Sequence, residues 1–510
     1  MILHWFDISL FLLFILTVVV FSMYKSRHEK NTEDYFLAGR GLKWYVIGFS
    51  IVAANISTEQ FVGMSGQSAG NIGLAVSGYQ LLGAVAIIFV ALFFLPRFLR
   101  AGIYTMPEYL EYRYNAGARG IMALYTLIIY VAVTITAVLY SGGLTLYTIF
   151  GIKLTHAVWM IGAVAALYTA WGGLKAVAWA DLLQGSGLLI GGLVTMILGF
   201  IAVGGIGPFL EGSADRLHMI LPADHPELPW TVLLIGLWIP NFYYCGLNQF
   251  IVQRTLAARS LRQGQLGIIF AASLWLLVPF AIVFPGIMAV QLYGKNLATP
   301  DQAYPLLIRE LIPSGVRGLL FAALAGAVIS SLASMLNSAS TIFTMDLVKR
   351  HWKKEASQKF LLTTGRSATL TFVLAGCLLA PQLNDPKFGG VFTYIQEFQG
   401  YISPGILAAF VFGFIFKKAP PMAGVTALIL SAPIYGLLQW RLGQVAFLNR
   451  MAITFVFICF IMGLITYLKP MKVPAKLPVK SGIDLRPSPS VIWLGLAVIA
   501  AVMIFFIVFW

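Results

Sequence analysis

Runs of about 20 consecutive apolar residues recur along this chain, each long enough to cross a bilayer as a helix. Inside a bilayer only helices and closed barrels satisfy every backbone polar group, and barrel strands alternate in polarity instead of running continuously apolar. The composition agrees: 59% of the 510 residues are hydrophobic and 10% are charged, against roughly 25% charged in a soluble domain. The sequence therefore predicts an all-α polytopic membrane protein. Fourteen spans are expected, over 5–24, 44–66, 74–96, 121–149, 154–171, 181–203, 231–251, 264–292, 319–345, 363–382, 388–414, 421–437, 451–468 and 490–510.

Charge orients these spans. With the N-terminus outside, the loops 25–43, 97–120, 172–180, 252–263, 346–362, 415–420 and 469–489 face the cytoplasm. Of 34 Lys and Arg, the eight on the other side are Lys153, Arg216, Lys295, Arg309, Arg317, Lys387, Arg441 and Arg450. This bias of about three to one follows the rule that Lys and Arg stay inside, and it places both termini outside the cytoplasm. The net charge of +15 is then mostly loop charge facing anionic headgroups, with nucleic acid excluded as a partner. The first span has no basic stretch before it and no small-residue cleavage site, so it reads as an uncleaved anchor in the cell membrane. Cys245, Cys377 and Cys459 fall in separate spans without CxxC spacing and read as packing thiols.

Function is expected where polar residues interrupt the spans. Glu59, Asp181 and Glu397 are carboxylates within or at the edge of a span, and ionisable groups there mark sites or pathways. "SIVAANISTEQFVGMSG" (50–66) interrupts the second span, "IPNFYYCGLNQFIVQRT" (239–255) the seventh and "AVISSLASMLNSAST" (327–341) the ninth. Pro240 and Gly246 bracket the polar residues of the seventh. Close helix packing by small residues accounts for much of the ninth, but not for Glu and Gln in the second. Interrupted spans at corresponding places suggest an inverted-repeat transporter with its substrate site at the midplane. The repeats are expected over 44–203 and 231–414, with 1–43 leading, 204–230 an external loop and 415–510 three trailing helices joined by a cytoplasmic linker. The external stretch 293–318 is expected to hold a short helix at Ala303–Leu311.

These residues suit a sodium ion. Unwinding at Ala53–Ile56 frees carbonyls, and Ser330 and Ser331 offer hydroxyls from another span, with the Ala327 carbonyl one turn earlier. The pattern alone does not bring the two segments together. The chain further resembles the sodium/solute symporters, most closely the bacterial sodium/galactose transporters. "TEDYFLAGRGLKWYVIGFSIVAANISTEQFVGMSG", "GIYTMPEYLEYRY", "WGGLKAVAWADLLQG", "NFYYCGLNQFIVQRTLAA", "SSLASMLNSASTIFTMDL" and "YIQEFQGYISPGILA" carry the resemblance over roughly residues 6 to 468. It implies a LeuT-type fold of two inverted five-helix repeats and sodium-driven uptake. By position it makes Ala53, Ile56, Ala327, Ser330 and Ser331 the sodium ligands and Asp181 part of the sodium exit path. Ala180 stands where a hydroxyl is usual. Tyr244 becomes an inner gate, and Met64, Tyr79 and Phe392 an outer one. Ala333 replaces the hydroxyl of relatives that bind a second sodium, which implies one Na⁺ here.

For the solute, the resemblance implies contacts from Asn55, Gln60, Tyr79, Asn241, Tyr244 and Gln396, whose amides both donate and accept hydrogen bonds. Departures from the galactose pattern are Gln80 for Glu, Gly83 for Ser and Trp275 for Lys, with Cys245 for an aromatic. They shift the expectation to a sugar or cyclitol other than galactose, with Trp275 either stacking on a sugar face or filling volume. Glu59, next to Gln60, is expected to point away from the pocket into a structural hydrogen bond. Competing readings are a sodium symporter for an amino acid, vitamin or carboxylate, and a channel or transport-dead sensor. No Lys or Arg is read within a span to hold a carboxylate. No Ser/His/Asp arrangement or metal-ligand cluster suggests an enzyme. Besides the solute, Na⁺ and the bilayer, no obligate protein partner is expected.

Overall fold

The computed structural model describes residues 5–26, 37–171, 174–294, 297–479, 482–486 and 488–510. The first residues of "TEDYFLAGR", the glycine pair of "WGGLK" and Lys295 lie outside the described residues. The helices that build the bundle begin with α1 (Trp5–Ser26), α2 (Trp44–Asn55), α3 (Glu59–Ala69), α4 (Gly73–Ala101) and α5 (Ala116–Phe150). They continue with α6 (Leu154–Trp171), α7 (Leu174–Ala202), α8 (Trp238–Leu247), α9 (Gln249–Leu256) and α10 (Leu261–Tyr293). The remainder are α11 (Val316–Trp352), α12 (Gln358–Asn384), α13 (Val391–Gln399), α14 (Ser403–Ile415), α15 (Pro421–Arg441), α16 (Phe447–Leu468) and α17 (Pro489–Val508).

Among the described residues ten helices are long and apolar enough to cross a bilayer, and twelve when each of two bent pairs counts as one span. The other two expected spans are α1 and α6, whose described apolar stretches, Trp5–Val18 and Leu154–Leu167, are shorter than a full crossing. The expected fourteen therefore stands at ten to twelve by this measure.

Three breaks shape the bundle. The α2–α3 pair bends by 53° and the α13–α14 pair by 47°. The first was expected over Ala53–Ile56, but Ala53–Asn55 stay helical and the chain leaves the helix at Ile56 and Ser57; the second lies in the span read as continuous over 388–414. Its cause is local: the chain turns at Gly400–Ile402 and Pro404 opens the new helix, where a missing amide costs nothing. The seventh span does break, but at Asn248 (φ −78°, ψ 121°) and not between Pro240 and Gly246. Pro240 occupies the first turn of α8, a position that tolerates proline.

Helices α10 and α7 pack along α2, and α7 and α1 pack along α11. Gly185 of α7 permits one of these close approaches. A Cβ there would lie 2.9 Å from the Ala53 Cβ and 3.2 Å from the Phe49 carbonyl oxygen, so two backbones meet just ahead of the first break. Asp7, 1% exposed within the first span, has an equally local purpose. Its carboxylate accepts hydrogen bonds from the amides of Gly315 (2.6 Å) and Gly318 (3.0 Å), capping the free N–H groups at the start of α11. The helix Ala303–Leu311 forms as expected. After α16 the linker lies against the end of α14, with Met471 N and Ala475 N donating to the carbonyls of Lys418 and Lys417 at 2.9 Å each. It then leads to α17, which packs on α10 and α4.

Candidate functional site

At the first break, the last helical hydrogen bond runs from Ile56 N to the Val52 carbonyl at 2.6 Å, and Gln60 N and Phe61 N next turn to the Ser57 carbonyl. No hydrogen bond reaches the carbonyls of Ala53 or Ile56 among the described residues. Thr58 Oγ1 pairs with Ser141 Oγ of α5 at 2.9 Å, fixing the far side of the break. The chain re-enters helix through a wide π-type turn over Glu59–Met64.

The break opens onto a small cavity of about 60 Å³. Asn55, Gln60, Tyr79, Gln80, Asn241, Tyr244 and Gln396 line it, closed by Met64 and Phe392. Seven of the nine expected solute contacts thus converge. Gln80 Nε2 donates to Asn55 Oδ1 at 2.8 Å, while Gln60 Oε1, Asn241 Nδ2 and Gln396 Oε1 are buried without a partner. Unpaired buried amide atoms are costly unless something fills the space beside them.

Two expected contacts are displaced. Trp275 and Gly83 stand behind the wall: a Cβ on Gly83 would sit 3.8 Å from Trp275 Cζ3 and 3.3 Å from Asn241 Oδ1. Trp275 is 1% exposed and fills volume under Asn241; it presents no face to the cavity. Glu59 departs the other way. Ser57 Oγ does donate to its Oε2 at 2.5 Å, the expected structural bond, yet Glu59 also lines the cavity. The π-type turn rotates the chain less per residue than an α-helix, so neighbouring side chains 59 and 60 diverge less than the α-helical spacing predicts. Thr134, Gln399 and Met335 also line the cavity, and none of the three was singled out in the sequence.

Met64 is fully buried, and the Tyr79 and Phe392 rings meet edge to face with centroids 4.9 Å apart, closing one side of the cavity. Asp301, in the external segment beside them, is 7% exposed. Its Oδ2 accepts from Val391 N, the first residue of α13, at 3.2 Å. A Cβ on Gly66 of α3 would lie 2.4 Å from its Oδ1, so Asp301 abuts both half-helices that carry the seal. Burial pushes its carboxyl up to about 6 from an ordinary 3.8, with the Val391 amide pulling the other way. A raised folded value means a stabilising contribution that is full below pH 3.8 and lost as pH rises through about 6. Asp301→Asn is expected to flatten that fall in a series of thermal unfolding curves; an unchanged slope would assign the titration elsewhere.

Asp181 and Arg254 form a buried ion pair, each 1% exposed at the side chain, with Nη2 and Oδ2 3.0 Å apart. Ser50 Oγ donates to Asp181 Oδ2 at 2.5 Å, and Ser330 Oγ donates to Oδ1. Arg254 also donates to the Ser50 carbonyl at 3.0 Å and to Ser334 Oγ at 2.8 Å. This corrects the reading that no Lys or Arg lies among the spans: the break at Asn248 starts a new helix, α9, that carries Arg254 inward. Glu397, the third carboxylate, pairs with Arg450 at 2.8 Å and accepts from Gln439 Nε2 at 3.0 Å.

Helix α11, carrying Ala327, Ser330 and Ser331, packs against α2, the helix that ends at the first break. Ser331 Oγ is buried without a partner. Unclaimed carbonyls on one helix and an orphaned hydroxyl on its neighbour form a neutral oxygen set that suits a monovalent cation. Broken helices, neutral oxygens and an adjoining amide-lined cavity define a cation-coupled secondary transporter.

The chain belongs to the sodium:solute symporter family, whose model matches residues 35–430, and sodium is its coupling ion. It is 40% identical over 482 residues to the sodium/glucose cotransporter of Vibrio parahaemolyticus, covering 88% of each chain. Against the human sodium/myo-inositol cotransporter 2 it is 34% identical over 470 residues, covering 84% of this chain and 68% of that one. In three dimensions it is similar to a Na⁺-coupled sialic acid symporter solved in a substrate-bound, outward-open state. The TM-score is 0.80 at 24% identity, covering 92% of this chain and 99% of the other.

Proposed function

We propose that this protein imports a neutral sugar or cyclitol by alternating access, one Na⁺ per solute. The observation that carries this reading is the set of buried, unpartnered amide atoms on Gln60, Asn241 and Gln396, three residues that line one cavity. Hydroxyl-rich solutes both donate and accept, which matches amides that do the same. Glu59 on the same wall has no Lys or Arg among the lining residues, which weighs against a carboxylate solute. Arg254 offers such a solute nothing, because Asp181 already holds it.

In this mechanism the carbonyls of Ala53, Ile56 and Ala327 and the hydroxyls of Ser330 and Ser331 take the ion. Filling that set orders the break and presents Asn55 and Gln60 to the solute. Met64, Tyr79 and Phe392 close above, and Tyr244 gives way below. Asp181 receives the ion on its way to the cytoplasm. Coupling requires that ion and solute differ in affinity between the two states. One charge crossing about 100 mV releases about 2.3 kcal/mol, and a roughly tenfold gradient adds about 1.4 kcal/mol. Together these concentrate a neutral solute roughly 500-fold. The five-helix repeats over 44–203 and 231–414 rock against each other, with both termini outside the cytoplasm.

The test is uptake by purified protein in proteoliposomes across a panel of monosaccharides and polyols, with an imposed sodium gradient. Accumulation that collapses without sodium supports the reading. Equilibration without accumulation would mean a channel, and no uptake of any sugar or polyol would sink it. Gln60→Ala and Asn241→Ala are each expected to weaken solute affinity by about 0.5–1.5 kcal/mol, roughly two- to twelvefold, leaving sodium binding in place.

A further inference from the structure

We propose that an anionic phospholipid binds in a basic recess at the cytoplasmic end of the bundle, distinct from the transport site. Three loops far apart in sequence, each assigned to the cytoplasm by its Lys and Arg, come together there: the end of α4, the end of α14 and the linker after α16. The recess has a volume of about 790 Å³, and Arg97, Arg100, Lys417 and Lys476 contribute to its lining. No acidic residue lines it. None of these four cations forms an ion pair among the described residues, whereas other Arg in the same loops, Arg119 and Arg486, are paired with carboxylates. Four like charges left facing one recess repel each other, and a shared anion relieves that cost.

The apolar part of the wall selects the kind of anion. Phe93 of α4 is 51% exposed and Phe89, one turn deeper toward the membrane interior, is 41% exposed. Phe414 of α14 lies under the Arg97 guanidinium, 5.1 Å from its ring centroid. A cationic rim above a lipid-facing aromatic ramp accommodates a phosphate headgroup and its acyl chains together, in the manner of basic pockets between spans that hold anionic lipids. Arg113, the remaining cation, is already spent. Its guanidinium donates to the carbonyls of Gly413 (2.9 Å), Phe416 (2.7 Å) and Ala419 (3.1 Å), which anchors the floor of the recess. The rim joins α4 of the first repeat to α14 of the second, so a bound lipid bridges parts that move relative to each other during transport.

Full-length protein titrated with phosphatidylglycerol or phosphatidylcholine, read by native mass spectrometry and thermal unfolding, tests this. Phosphatidylglycerol is expected to stay bound and raise the unfolding temperature, and phosphatidylcholine to do neither. Replacing all four cations (R97Q, R100Q, K417Q, K476Q) is expected to weaken phosphatidylglycerol binding by about fivefold per charge removed. A control variant, K353Q/K354Q on the same face, should keep the full response. Equal retention of both lipids, an unaltered phosphatidylglycerol response in the fourfold variant, or equal stabilisation by soluble glycerol phosphate would each overturn the proposal. Should the fourfold variant fail to fold, single Arg100→Gln, at an exposed position, reads the same loss at about fivefold.

Discussion

Arg254→Ala is expected to cost about 3–5 kcal/mol of stability, seen as a large drop in unfolding temperature in detergent. The argument rests on what the arginine leaves behind. Asp181 sits at 1% side-chain exposure, and its other partners are the Ser50 and Ser330 hydroxyls, which cannot neutralise a carboxylate in a low-dielectric interior. Removing one member of a buried pair strands the other, and the stranded charge is the larger part of the penalty. Ser50 and Ser334 also lose the guanidinium that spans them. The control is the double variant Arg254→Met/Asp181→Leu, which removes both charges and should recover much of the loss. If the single and double variants fall equally, packing by the arginine stem, not charge, is what the site needs.

Ser331→Ala is expected to raise the sodium concentration needed for half-maximal uptake by roughly tenfold to a hundredfold, the equivalent of about 1.5–3 kcal/mol for losing a polar contact to a charge. Its hydroxyl is buried without a protein partner, so truncation breaks no internal hydrogen bond and should leave folding intact. Ser330→Ala makes the informative comparison. Its hydroxyl already donates to Asp181, so that change should perturb both sodium dependence and stability. The measurement is the sodium dependence of solute uptake in proteoliposomes, beside thermal unfolding of the same samples. An unchanged sodium requirement in Ser331→Ala would remove that residue from the cation site.

The bundle was legible in the sequence because lipid exposure forces long apolar runs, and no folded alternative hides that signal. The first break was legible too: Glu59 and Gln60 have no reason to sit in a span unless something polar faces them. The break at Asn248 was harder to see. Pro240 drew attention, but proline in a first helical turn is harmless, whereas Asn248 breaks the helix without any residue that signals it. Arg254 was missed for the same reason. Six residues past an unmarked break, it reads as the start of a basic loop and folds back into the core. Trp275 and Gly83 are a different kind of error. Two departures from the galactose pattern at neighbouring positions proved to be one packing substitution, a large ring occupying the space beside a missing side chain. Gln80, which does line the cavity, is left as the departure in direct reach of the solute.

Helix α5 touches the break between α2 and α3 and the break at Asn248. Ser141 pairs with Thr58 at one of them. At the other, the Tyr130 hydroxyl donates to Asn248 Oδ1 and accepts from Phe250 N at 3.2 Å. These two contacts are eleven residues apart, about 16 Å along an ideal helix, and the wide turn over Tyr130–Ile135 lies between them. Two joints pinned to one rod do not flex as separate parts. A shift of the rod that loosens one pin loads the other, so the symmetry of the fold becomes a mechanical linkage instead of a repeated ornament.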